Sequence, residues 1–358
     1  MKIERGEFGK TPDGDTIEQY TLTNDNGVKV VLISWGATVK ELHTPDASGK
    51  SANIVLGHTS VENWLTNPCY FNCTVGRYGN RIRQGAFKLN DNIYSLATNN
   101  DPNHLHGGEV GFHKRLWAAE SKSDKDSASV VFTRISADGE DGYPGNLDVI
   151  VTYTLTTTNE LQVDYEATTD KATVVNLTNH CYFNLSGDPK NNSILDHLLT
   201  LNCDLYLPVD ETMIPTGDML AVAETPMNFV ASHTIGNRIE KVEGGYDHCY
   251  VINRDSEGLV PAATVVDQNN GRTMEIFTTE PGIQLYSGNF LNGKDENGGF
   301  KKHHGFCLET QHYPDSPNQP AFPSTVLKPG ETFKSTTVHK FGVVGQAGES
   351  ADEKDADK

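Results

Sequence analysis

Glu309 stands inside GFCLETQ, residues 305–311, an apolar run that predicts a buried strand. An ionised carboxylate is costly to bury, so a Glu in that setting needs a reason to be there. Neighbours in a strand face opposite sides. Phe306 and Leu308 therefore share a core face, while Cys307, Glu309 and Gln311 share the other, and the small Cys307 leaves room beside the carboxylate. The stretch NLTNHCYFNLSG alternates in the same way. Leu177, Cys181, Phe183 and Leu185 fall on one side; Thr178, His180, Tyr182 and Asn184 fall on the other. An imidazole and a phenol two residues apart, without long charged neighbours, fit the lining of a cleft. They fit a hydrogen-bonded interior equally well, and the pattern leaves both readings open.

Three further segments carry a similar mix. GRYGNRIRQGAF puts Asn80 and Arg81 in a Gly-punctuated loop that leads into a strand. NDPNHLHGG sets His104 and His106 beside Gly107 and Gly108, where the backbone can approach a ligand closely. EGGYDHCYVIN places Asp247 just after a Gly-Gly turn, at the start of a strand. Taken singly, each also reads as a surface charge or a turn residue. Cys69 and Cys73 with His104 and His106 offer zinc-type ligands, but their spacing is unlike that of ordinary zinc sites. The six cysteines form no C-x-x-C pair and lie mostly in apolar runs, which predicts packed, reduced thiols in a cytoplasmic protein.

The elements that must position these residues are strands. EQYTLTNDNGVKVVLIS, AFKLNDNIYSL, VIVTYTLTTTNELQVDYEAT and ATVVDQNNGRTMEIFTT each read as two strands joined by an Asn- or Gly-containing turn. Helical patterns are confined to SVENWL and TIGNRIEKVE. No βαβ rhythm or Gly-rich phosphate loop appears, which argues against a dinucleotide or nucleoside triphosphate enzyme. The expectation is an all-β chain, a large antiparallel β-sandwich with few short helices, over residues 1–344 as one domain. Residues 345–358 are acidic, lack large apolar side chains and read as a disordered tail. A net charge of −19 across 358 residues disfavours nucleic acid and anionic membrane surfaces as partners. The N-terminus has no signal-like apolar region, and no run is long enough to span a bilayer.

Taken in order, VGRYGNRI, NHLHGG, NLTNHCYFNLSG, GGYDHCYVIN, TTEPGIQLYSGNF and GFCLETQHYPDSPNQPAFPSTVLKPGE closely resemble the motifs of the aldose 1-epimerase (galactose mutarotase) family. The resemblance runs from the first strands to about Phe341, with small departures around Tyr70 to Cys73. It implies a galactose mutarotase-like sandwich with a sugar cleft on a concave polar face. It also implies interconversion of the α and β anomers of free aldohexoses such as galactose and glucose, with no cofactor and no metal. By resemblance Glu309 matches the general base and His180 the general acid. Asn80, Arg81, His106, Asp247 and Gln284 match sugar-contacting positions, with Tyr182 beside the acid. Oligomeric state, monomer or homodimer, stays open.

The chemistry suits these residue types. Ring opening needs a base at the C1 hydroxyl and an acid at the ring oxygen O5, and closure reverses the two. The distal hydroxyls must be gripped while the C1 end turns, a task for charge-assisted bonds from Asp247 and Arg81. Glu309 is expected at the lip of the cleft, facing His180 across a sugar ring. Reference values of ~4.3 for Glu and ~6.5 for His predict a carboxylate and an imidazolium side by side, Glu309 holding His180 charged. Three rivals keep some claim: a glycoside hydrolase using Glu309 and Asp247 as its two carboxylates, a non-catalytic sugar-binding module, and a relative acting on phosphorylated sugars.

Overall fold

The structure, a computed structural model, describes residues 1–345. The predicted acidic tail lies, from residue 346 on, outside the described residues. All the expected hairpins form: Thr16–Thr23 with Lys29–Ile33, Ala86–Leu89 with Asn92–Ser95, Leu147–Thr156 with Glu160–Thr169, and Val260–Val266 with Arg272–Thr278. Each is antiparallel.

Period-two burial shows why these segments are strands. In Leu147–Thr156 the residues Leu147, Val149, Val151, Tyr153 and Leu155 are buried, and the residues between them are more exposed. Such a segment can satisfy its backbone in a sheet and still present one apolar face to a core. A nine-stranded sheet runs in the order Ala118–Ser123, Ser127–Ser136, Leu147–Thr156, Glu160–Thr169, Phe333–Val343, Arg272–Thr278, Val260–Val266, Leu198–Leu201, His233–Thr234. A five-stranded sheet spans the N-terminal Lys2–Lys10 to Ser51–Asn53. A second five-stranded sheet has the order Leu220–Ala221, Leu205–Tyr206, Asp247–Val251, Gly282–Tyr286, Cys307–Gln311. One apolar cluster joins all three: Leu22 and Val30 from the first, Phe132 and Val151 from the largest, Leu285, Phe306 and Leu308 at the third. Layered sheets about a shared core make this the expected β-sandwich.

Helical structure departs in part from the sequence expectation. Val61–Thr66 is an α-helix, begun by the Ser60 hydroxyl, which accepts from the Asn63 N–H, and ended at Asn67 in the left-handed region. TIGNRIEKVE, expected to be helical, forms instead two 3₁₀ turns, Ile235–Asn237 and Ile239–Lys241, separated by Arg238 with φ −132° and ψ 9°. A single turn gains too few hydrogen bonds to carry on past such a break.

The segment after the helix anchors the chain around His180. Tyr70 and Asn72 both have positive φ, 58° and 57°, which for non-Gly residues the surrounding contacts must hold in place. The Asn72 amide donates to the Leu56 carbonyl at 2.6 Å, and its Oδ1 accepts from the Tyr182 N–H at 3.0 Å. The Asn72 N–H donates to the His180 carbonyl, and the His180 N–H to the Cys73 carbonyl, both at 3.0 Å. Asn72 thus fastens residues 180–182 to the rest of the fold. Asn72→Ala is expected to lower stability by about 2 to 4 kcal/mol, because it strands two buried partners. A fall in the urea midpoint at unchanged m-value is the measurement; an unchanged midpoint would contradict it.

Candidate active site

Register in the second five-stranded sheet gathers the polar side chains. Asp247 pairs with Tyr286, Cys249 with Gln284, and Gln284 with Glu309. Directly paired residues share a sheet face, so Asp247, Gln284, Tyr286, Cys307 and Glu309 all point away from the core that holds Leu285, Phe306 and Leu308. A cavity of 270 Å³ opens on that face, a size at the small end of ligand pockets. Asn80, Arg81, His106, His180, Tyr182, Asp247 and Glu309 line it. Gln284 does not; it lies behind the wall, and its amide donates to Asp247 Oδ1 at 2.7 Å.

Glu309 is 2% exposed, so it belongs to the floor of the cavity and not to its lip. The strand that carries it is buried along its whole length, which residue alternation could not show. Oε1 lies 3.8 Å from His180 Nε2, and Oε2 has no hydrogen-bond partner in the protein. That separation leaves no room for a ring between the groups. It fits two groups reaching adjacent oxygens on one carbon. Burial, and then the charge of Asp247, hold the Glu309 carboxyl well above the ordinary carboxylate range, with Arg81 pulling it partly back.

His180 lies with its ring near parallel to Tyr182, centroids 5.0 Å apart, and to Tyr70, 6.0 Å apart. Burial pushes its pKa down to about 4, partly offset by its own backbone carbonyl. The expected imidazolium is therefore not the resting state. The reference values hold for solvated groups, and desolvation here disfavours the charged form of both partners. His180 Nδ1 is 3.5 Å from Cys307 Sγ.

His106 reaches the cavity from a residue at φ 49°, its ring 5.1 Å from that of His180. Its Nδ1 accepts from the Asn80 N–H at 3.1 Å. Burial, and then the neighbouring His180 and Arg81, hold it neutral, so its proton sits on Nε2. His106, His180 and Glu309 offer donor atoms within 4.8 Å of one another. A metal, however, needs the lone pair of a ring nitrogen while the other nitrogen keeps its proton to donate, and the Asn80 contact enforces the opposite arrangement on His106. The cluster suits hydrogen bonding to a substrate and not a cation.

Arg81 Nη1 stands 4.0 Å from Asp247 Oδ2, and its Nε donates to Asn100 Oδ1 at 3.0 Å. With Gln284 behind Asp247, these residues form a braced polar part of the cavity wall. Sequence reading did not single out Tyr70, Asn100, Tyr286, Phe290 or Asn297, which also line the cavity. Phe290 is 72% exposed and near parallel to Tyr286 at the mouth; an aromatic after SGN was the available signal. Tyr70 carried none, because its placement depends on a backbone conformation that L-residues rarely adopt.

Residues 18–340 match the family described as aldose 1-epimerase. The chain is 44% identical to galactose mutarotase of Homo sapiens over 346 residues, 95% of this chain and 99% of that protein. It is 36% identical to aldose 1-epimerase of Escherichia coli K12, over 92% of this chain and 96% of that one. Among solved structures, galactose 1-epimerase from Lactobacillus acidophilus superposes with a TM-score of 0.85 at 30% identity, covering 96% and 99% of the two chains.

The buried neutral histidines make stability depend on acid. His104 and His180 are pushed down to about 4 and His113 to about 3 from 6.5, in each case chiefly by burial. Between those values and 6.5 the unfolded chain binds more protons than the folded one, so stability rises with pH there. It is fully present above about 6.5 and is lost progressively as pH falls toward 4. Urea melts at pH 7, 6 and 5 are expected to show successively lower midpoints; equal midpoints would contradict neutral burial.

Proposed function

The chain belongs to the aldose 1-epimerase family and interconverts the anomers of aldoses, and we propose that Glu309 and His180 carry the proton transfers while Asp247 and Arg81 grip the sugar. The observation that carries this reading is the buried pair itself, 3.8 Å between Glu309 Oε1 and His180 Nε2 on the floor of a small polar cavity. Two groups that close can address O1 and O5, the two oxygens on C1, together.

The steps balance in protons alone. With cyclic sugar bound, Glu309 as carboxylate takes the C1 hydroxyl proton. His180 as imidazolium gives a proton to O5, and the C1–O5 bond breaks. The products are the open aldehyde, a neutral carboxylic acid and a neutral imidazole. Rotation about C1–C2 presents the other face of the carbonyl; Glu309 then returns its proton to the carbonyl oxygen, His180 takes one from the O5 hydroxyl, and the ring closes as the other anomer. The proton count of the pair is one throughout. Burial favours the uncharged arrangement, and that arrangement accompanies the open aldehyde, the high-energy partner of the cycle. Stabilising it relative to the cyclic state is what lowers a barrier. His106, with its proton on Nε2, is a donor for a sugar oxygen beside the pair. The distal end is held by the Asp247–Arg81 wall, which Gln284 braces from behind and Asn100 braces from within the cavity lining.

The names of the relatives favour galactose among the aldohexoses, with glucose differing from it only at C4. Six free cysteines support a reducing, cytoplasmic setting. Asp247 already receives the Gln284 amide and faces Arg81, which favours a gripping role for it over that of a second carboxylate in hydrolysis.

Polarimetry on freshly dissolved α-galactose and α-glucose tests the reading. Glu309→Gln is expected to lower kcat by roughly 10²- to 10⁴-fold with KM little changed; retained activity would refute the assignment. The pH profile is a separate test. Activity needs one proton on the pair, which faces Asp247, Arg81, His106 and Cys307. Adding a second proton requires charging His180, so kcat/KM is expected to fall on the acid side near 4. Removing the only proton requires ionising Glu309, so the alkaline limb is expected well above the carboxylate range. Loss of activity between pH 5 and 7 on rising pH would refute the shared-proton account.

A further inference from the structure

Resting on this acid–base reading, we propose that Cys307 is a positioning residue that keeps the second proton of His180 on Nδ1, so that Nε2 alone exchanges the proton that moves. An imidazolium that gives up its Nε2 proton retains the one on Nδ1. A neutral ring with its proton on Nε2 would present the sugar with an N–H it could release only as an imidazolate, and with no lone pair to accept. The tautomer therefore decides whether the ring can work in either direction. The hydrogen-bond partner that Nδ1 finds is Cys307 Sγ, at 3.5 Å.

The chemistry of Cys307 suits the task. It is fully buried, and desolvation, followed by the charge of Glu309, keeps it a thiol and not a thiolate. A neutral, polarisable thiol can accept from an Nδ1–H and orient the ring without adding negative charge. Two other histidines of the same chain show the alternatives. His312 Nδ1 meets the Glu280 carboxylate at 2.6 Å, and that charge helps raise the His312 pKa. A carboxylate in the position of Cys307 would likewise fix His180 as imidazolium and oppose its return to the neutral state. His106 Nδ1 meets the Asn80 N–H, which forces the proton onto Nε2 and makes that ring a fixed donor. The thiol gives His180 the setting that permits both states.

Cys307 does not touch the proton in flight, so the decisive readout is spectroscopic. Long-range ¹H–¹⁵N correlation on the full, histidine-labelled chain without sugar at pH 7, with His180 assigned by loss of its signals in His180→Asn, is expected to show a protonated Nδ1 and a bare Nε2. A His180 spectrum with the proton on Nε2 would overturn the proposal, and this measurement needs no variant at position 307. Cys307→Ala is expected to move His180 toward the Nε2–H form and to lower kcat roughly fivefold at unchanged KM, the size of one modest hydrogen bond. Cys307→Ser, which keeps an acceptor, is expected to recover part of that loss. An Ala variant with wild-type tautomer and wild-type kcat would also overturn it. The two readings fail separately: an active Glu309→Gln enzyme removes the acid–base reading, whereas an Nε2–H spectrum beside an inactive Glu309→Gln enzyme removes only the role of Cys307.

Discussion

A carboxylic acid and an imidazole buried side by side can hold one proton between them far more readily than two or none. Everything else in the site bears on that constraint. Desolvation raises the proton affinity of Glu309 and lowers that of His180, so that of the charged and uncharged arrangements of a single proton the medium favours the uncharged one. Arg81 works against this tendency at Glu309 and Asp247 works with it. A reaction that must run equally well in both directions benefits when the two arrangements lie close in energy. An isolated carboxylate at this depth would be too basic to leave its proton behind, and a solvated one too weak a base to remove a sugar hydroxyl proton.

The framework has to hold two side chains from unconnected segments in a fixed mutual position. Glu309 is fixed by strand register, because Gln284 pairs with it and Cys249 pairs with Gln284. His180 lies just beyond the two-residue strand Thr178–Asn179, and it depends on the Asn72 and Cys73 backbone for its main-chain bonds. Its ring is then confined by Tyr70 and Tyr182 on its faces and by Cys307 at Nδ1. One group is thus set by a sheet and the other by loop segments in strained conformations. Strain of this kind persists where neighbouring contacts over-determine it, and Asn72, with partners on residues 56, 180 and 182, is the point of over-determination.

The protonation of three histidines in this protein is biased by the group that each meets at Nδ1. His106, His180 and His312, all at least partly buried, meet at Nδ1 a backbone N–H, a thiol and a carboxylate respectively. The backbone N–H leaves His106 its proton on Nε2, the carboxylate biases His312 toward charge, and the thiol, on the proposal above, leaves His180 able to exchange a proton in both directions. In the proposed mechanism the division of labour between His106 and His180 rests on those contacts and not on the residue type.

Alternation along GFCLETQ and NLTNHCYFNLSG was enough to put Glu309 and His180 off the core face, since side-chain direction in an extended chain is a local property. The hairpins were legible for the same reason: each turn sits beside the strands it joins. Motif resemblance supplied the family and most of the polar residues that gather at the cavity, though not Asn100 or Asn297. Depth was not legible. Glu309 belongs to the floor because other segments cover its strand, and the protonation of the pair follows from that depth through desolvation. Nor could the sequence show that Gln284 acts through Asp247, that Tyr70 closes one face of His180, or that two 3₁₀ turns replace the helix expected at TIGNRIEKVE. Those outcomes depend on contacts between residues far apart in the chain. The sequence by itself determined which residue types face the cleft; the tertiary structure decided how dry the cleft is and what lies behind each ring nitrogen, and these set where the proton goes.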